Sequence, residues 1–212
     1  MKEIWGILKI EMDRLNVNFS SRFGPAAAFA EIKSLEKLIC KKLPQDFIDL
    51  YLENNGQNPE TFGFFENYRL LTIAEIILHW KFMKNKLDDG FFDKHEARLI
   101  EQKRSYQEKQ IDKMPLKGRL DEVFSEKVKD NIWNTLWIPL AIDNGGNLIY
   151  IDLDPTKKGL FGQLIKVWHD SFENPIIANS LKNWFKMILD EINTKKVIYS
   201  LELDSIAPNT WQ

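Results

Sequence analysis

WIPLAIDNGGNLIYIDLDP, residues 137–155, decides the fold of this chain. Its two apolar halves, Trp137 to Ile142 and Asn147 to Leu153, are rich in the β-branched and aromatic residues that suit a pleated, half-buried surface. Between them stands Asp143-Asn144-Gly145-Gly146, whose glycines accept the positive φ of a tight turn, so the stretch reads as a β-hairpin. Downstream, GLFGQLIKVWHD (residues 159–170) closes a second loop, Pro155 to Gly162, and opens a third strand from Gln163 to His169. IIANSLKNW (residues 176–184) then leads into a helix with Ser180 as its N-cap. Leu181, Trp184, Phe185, Ile188, Leu189 and Ile192 form an apolar stripe at helical period on that helix, and such a stripe has to lie on the sheet.

Upstream, three helices are legible. Trp5, Leu8, Met12 and Leu15 recur at spacings of three and four, and Gly24-Pro25 cannot continue their helix. A second helix starts at about Ala26 with Phe29, Ile32, Leu35, Ile39 and Leu43 on one face. Pro44, whose missing N–H costs nothing in a first turn, opens a third carrying Phe47, Leu50 and Tyr51, which Asn54-Asn55-Gly56 closes. Phe62 to Phe65 and Tyr68 to Leu71 read as short strands. Thr72-Ile73-Ala74-Glu75 is a capping box ahead of a fourth helix with Ile73, Ile76, Ile77, Trp80 and Met83 on one side.

From about residue 86 to 130 the pattern changes to closely mixed lysine, arginine, aspartate and glutamate with few apolar positions, the composition of a solvated helical insertion. Met114 to Gly118 would be its hinge or stop. Beyond Asn193, Val197 to Leu203 reads as one more short strand.

The chain has 212 residues, of which 44% are hydrophobic, enough to bury a core in one domain. Its formal net charge of −2 sets up no field for nucleic acid phosphates, so nucleic acid is not an expected partner. No apolar run approaches a membrane span or a secretory signal, and the expected location is the cytoplasm. The single cysteine, Cys40, reads as a small buried hydrophobe in a reducing compartment.

Catalytic chemistry requires groups that converge, and the sequence carries no nucleophile elbow, phosphate loop, H-E-x-x-H or C-x-x-C pattern. His79, His95 and His169 lie too far apart to pair on one helix face, so no metal and no cofactor are expected. Asp143 to Asn147 lacks the alternating acids of a calcium loop and fits a hairpin turn better. Asp152 and Asp154 form a D-x-D pair at a strand end, where acidic residues commonly cap loops. Trp133, Trp137 and Trp168 could stack on bases, but the hairpin from Asp143 to Asp154 has no lysine or arginine, and core packing explains them better.

The order L-P-x-x-F-x-x-x-Y-x-x-x-N-G from Leu43 to Gly56, Trp137-Ile138-Pro139, Gly146 followed by Asp152, Gly162-Gln163 before a strand, and Ser180 with Trp184 resembles the SUKH superfamily, the Smi/Knr-type domains. The resemblance covers roughly residues 27–192 apart from the charged insertion, and leaves 193–212 as a C-terminal extension. It implies an α+β fold, a single domain in which N-terminal helices and a C-terminal amphipathic helix cover a mainly antiparallel twisted sheet. Pro44, Gly56, Trp137, Pro139, Gly146, Gly162 and Trp184 would be its structural landmarks. It also implies a non-enzymatic protein-binding role: an immunity protein of the bacterial toxin-immunity branch that caps a cognate toxin, or a scaffold and cell-wall-regulator-like domain with no toxin partner. An enzyme of uncharacterised activity stands as a third reading, which a pocket of converging titratable groups would support. The expected binding face is an acidic and aromatic surface of the sheet with Asp143, Asp152, Asp154 and Trp168, acting in a monomer or weak homodimer.

Overall fold

The computed structural model describes residues 1–16, 18–61, 63–93, 126–168 and 174–211. Helices α1 (Lys2–Leu15), α2 (Phe29–Ile39), α3 (Gln45–Tyr51) and α4 (Ile73–Asp88) precede the main strands, and α5 (Leu181–Asn193) follows them. The sheet runs β1 (Arg69–Leu70), β2 (Trp137–Ile142), β3 (Leu148–Asp152), β4 (Gln163–Val167) and β5 (Ile176–Ala178) in that spatial order, with every neighbouring pair antiparallel. Sequential order equals spatial order: β2 and β3 are joined by a hairpin turn at Asp143–Gly146, and α4 and the charged segment intervene between β1 and β2. The architecture is α+β.

Successive strand residues point to opposite faces, and β3 shows what covers each. Tyr150 meets His79 of α4 at 3.0 Å on one face, whereas its neighbour Ile149 looks toward α5 with Trp184 and Ile188 on the other. All five residues of β3 are buried. That is why the hairpin reads as continuous apolar runs and not as a strict alternation.

Helix α5 packs Trp184, Phe185, Ile188 and Ile192 inward, each such side chain contributing about 1.5–3 kcal/mol by leaving water. Phe185 stacks on Trp5 of α1 at 5.3 Å, and Phe64 meets Trp184 edge-on at 5.5 Å. Ser180 accepts the Asn183 N–H and starts the helix as expected. The Thr72–Glu75 capping box is also present, with Glu75 held in addition by a bidentate Arg69.

Four expectations are corrected. Cys40 is exposed, because α2 ends there: its backbone adopts the left-handed conformation of a C-cap at φ 52°, which turns the residue outward. Phe29, expected on the core face of α2, is exposed at the helix's first position, where Lys33 lies over its ring. The segment around Phe64 and Phe65 forms a tight turn and not a strand, with one bridge between Phe65 and Tyr68; Phe62 lies outside the described residues. The extension forms two strands, β6 (Val197–Ser200) and β7 (Ser205–Pro208). This ribbon is tied into the body: Glu66 donates its N–H to the Ile206 carbonyl, Arg22 clamps Asp204, and Val197, Ile206 and Ala207 are buried. The charged insertion falls mostly on residues 94–125, outside the described residues, as does the Met114 to Gly118 hinge.

Candidate functional site

The four residues expected to form one acidic and aromatic face fall at opposite ends of the hairpin. Asp143 sits at its tip, level with Asn147, and Asp152 ends β3 five residues on, roughly 17 Å away at about 3.4 Å per residue. Asp143 spends its carboxylate on the turn, accepting from the N–H groups of Gly145 and Asn147 and from the Asn147 side chain. Gly146, at φ +86°, completes the turn as the sequence requires.

Asp152 is fully buried and offers no atom to a partner. Its carboxylate accepts from the Asp154 N–H and the Gln163 side-chain amide, both at 2.9 Å. Burial pushes its pKa above the ordinary aspartate range in spite of those two donors. Gln163 passes the connection on to the Lys127 carbonyl and the Leu160 N–H. Asp152 is therefore the organiser of the loop from Pro155 to Gly162. Asp154 is held by Lys129 at 2.6 Å and Asn134 at 2.9 Å; burial opposes its charge, but these partners outweigh it and keep its pKa low. The loop is further fixed by Gly162 against Pro44, where an added Cβ would stand 3.0 Å from the proline ring. It presents Leu160 and Phe161 outward, about half exposed.

Trp168 lies at the other end, partly exposed, with the Lys166 ammonium 5.5 Å from its ring. Here the structure adds residues that the sequence reading did not single out. A cavity of about 130 Å³ opens between α5 and the sheet, walled by Tyr68, Ile149, Trp184 and Met187 and carrying Glu66, Lys166 and Glu191. Lys166 pairs with Glu66 at 3.4 Å and lies 4.9 Å from the Tyr68 ring. Burial raises the Glu191 pKa, and the charge of Glu66 adds to that shift. Tyr68 is 2% exposed and its hydroxyl has no hydrogen-bond partner among the described residues. Two signals were available in the sequence: Glu191 continues the Trp184–Ile188 face of α5 at helical spacing, and Lys166 interrupts the apolar run Leu164-Ile165-x-Val167.

The remaining landmarks are structural. Gly56 packs on the Leu71 backbone, Trp137 is fully buried, and the strand shifts register just after Pro139, the kind of irregularity at which a sheet tolerates proline. Among the described residues no group of three metal-ligating side chains comes together, and no helix is long and apolar enough to cross a membrane. His95 and His169 lie outside the described residues.

With this geometry in hand, three relatives are informative. The chain is 23% identical over 184 residues to a protein of Neurospora crassa named "Glucan synthesis regulatory protein", covering 82% of this chain and 35% of the relative. It is 39% identical over 57 residues to a "KNR4/SMI1 homolog" of Yarrowia lipolytica (27% of this chain, 8% of the relative). To a protein of the same name from Kluyveromyces lactis it is 42% identical over 60 residues (28% and 11%). The chain thus spans about a third or less of these relatives' lengths. The sequence model of the SMI1/KNR4 family (SUKH-1) matches residues 26–187, from just before α2 to the middle of α5, and the chain belongs to that family.

Proposed function

We propose that this chain is a protein-binding domain with no catalytic chemistry of its own, acting as an immunity protein that neutralises a cognate bacterial toxin by direct stoichiometric contact. The observation that carries the reading is the recess beside α5. It combines aromatic and aliphatic walls with charged groups on rigid elements, the composition of an interface centre that anchors a partner. A binding surface built on a strand and a helix is preorganised, so little ordering entropy opposes association. The face differs from the one expected from sequence: Asp143 and Trp168 stay near it, Asp154 belongs to the opposite end, and Asp152 drops out.

The test is calorimetric titration of the purified chain with toxins encoded beside its gene, together with rescue of toxin-expressing cells. A one-to-one complex tighter than about 10 nM, with rescue, is the expected result. The absence of both binding and rescue with every neighbouring toxin overturns it. A second reading, a regulatory domain without a toxin partner, is favoured by the name of the Neurospora crassa relative. It is separated by deleting the gene: altered cell-wall polysaccharide with unchanged toxin sensitivity selects the regulator.

A further inference from the structure

We infer that the cavity between α5 and the sheet receives one basic side chain, an arginine or lysine that a protein partner inserts, an inference that rests on the protein-binding reading above. At about 130 Å³ the cavity far exceeds the roughly 10–15 Å³ that one water needs, so it has room for an alkyl stem. Ile149, Trp184 and Met187 supply the apolar wall such a stem would cover.

The head group meets two carboxylates, of which one is already matched. Glu66 takes Lys166, whereas Glu191 feels the charge of Lys196 but makes no salt bridge within 4.0 Å among the described residues. A second positive group beside Glu191 relieves the repulsion between the two acids, which an anionic or neutral ligand leaves in place. Lys166 itself demonstrates the chemistry: its ammonium lies 4.9 Å from the Tyr68 ring and 5.5 Å from the Trp168 ring, so the aromatic surface here already accommodates a cation. Tyr68 is an independent pointer. Its side chain lines the cavity, it is almost fully buried, and its hydroxyl has no partner among the described residues, a deficiency that native interiors rarely leave unmet.

The test is a nitrogen-15 NMR titration of the intact chain with N-acetyl-arginine methylamide, and with N-acetyl-citrulline methylamide as the neutral isostere. Saturable shifts are expected at the Trp184 indole N–H and at the amides of Ile149, Lys166 and Glu191 with the arginine compound, and at least about tenfold weaker binding of citrulline. Glu191→Gln should weaken the arginine compound by a similar factor. Lys166→Met removes the competing charge and should tighten it several-fold, which a variant that merely loosens the fold does not do. Shifts that are absent, equal for the two compounds, or insensitive to both substitutions overturn the inference. With a partner in hand, unchanged affinity in Glu191→Gln overturns the cavity assignment while leaving the protein-binding function standing.

Discussion

His79 on α4 and Tyr150 on β3 meet at 3.0 Å, imidazole Nε2 to phenol oxygen, across one face of the sheet. Both are withdrawn from water, and burial lowers the His79 pKa and raises that of Tyr150. The unfolded chain accepts a proton near the ordinary histidine value of about 6.5, while the folded one resists it until a lower pH. Stability should therefore fall as pH drops through 6.5, by at most about 1.4 kcal/mol per pH unit from this group, and level off below the folded value. Urea denaturation of the wild type and His79→Gln at several pH values checks this. The substitution should remove that part of the slope, and parallel curves would refute the assignment.

Gly56 approaches the backbone of Leu71 so closely that a Cβ would stand 2.5 Å from its carbonyl oxygen, and φ is +67°. Positive φ alone costs a non-glycine residue about 1–2 kcal/mol, and the clash is with backbone that also starts α4. Gly56→Ala should lose more than about 2 kcal/mol of stability, measured by chemical denaturation. A smaller loss would mean that the α3–α4 connection can shift.

Of these two sites only Gly56 could be read in advance; the His79–Tyr150 contact joins residues far apart in the chain. The Gly-Gly hairpin tip and the α5 stripe are local signals, and the backbone obeys them; Gly56 takes the positive φ its type suits, but α3 already ends at Tyr51 with Leu52 as its C-cap, so the Asn-Gly does not close that helix. The hairpin's acids misled because charge alone does not say where a carboxylate points. Asp152 shares a sheet face with Trp137 and Gln163, its partners across β2 and β4, and that register is a non-local fact. Cys40 and Phe29 failed at helix termini, where a one-residue change of boundary rotates a side chain from core to solvent. The cavity was hidden for a similar reason. Tyr68, Lys166 and Glu191 come from three segments more than 20 residues apart, joined only when β1, β4 and α5 assemble.

Asp152 is the next case to test. Removing its carboxylate leaves the Asp154 N–H and one N–H of the Gln163 amide without their acceptor, each worth about 1–3 kcal/mol if left unpaired. Asp152→Ala should therefore be strongly destabilising and should loosen the loop carrying Leu160 and Phe161, visible as faster amide exchange there. Asp152→Asn keeps one acceptor and avoids burying a charge that the site disfavours, so its loss should be the smaller one. Equal losses would show that the charge itself, and not the acceptor, holds the loop.

Met187 and Ile188 are adjacent on α5 and should respond oppositely, because a helix turns by about 100° between them. Ile188 is 1% exposed beneath the sheet, whereas Met187 is 43% exposed at the lip of the cavity. Ile188→Ala should cost about 2–5 kcal/mol through lost burial and the void left behind. Met187→Ala should stay within about 0.5 kcal/mol of the wild type and so leave a folded chain in which the lip of the cavity is cut back. Thermal and urea unfolding of the two variants checks the phase of α5 directly. Comparable losses in both would place the helix in a different rotation on the sheet, and with it every wall that α5 contributes to the cavity.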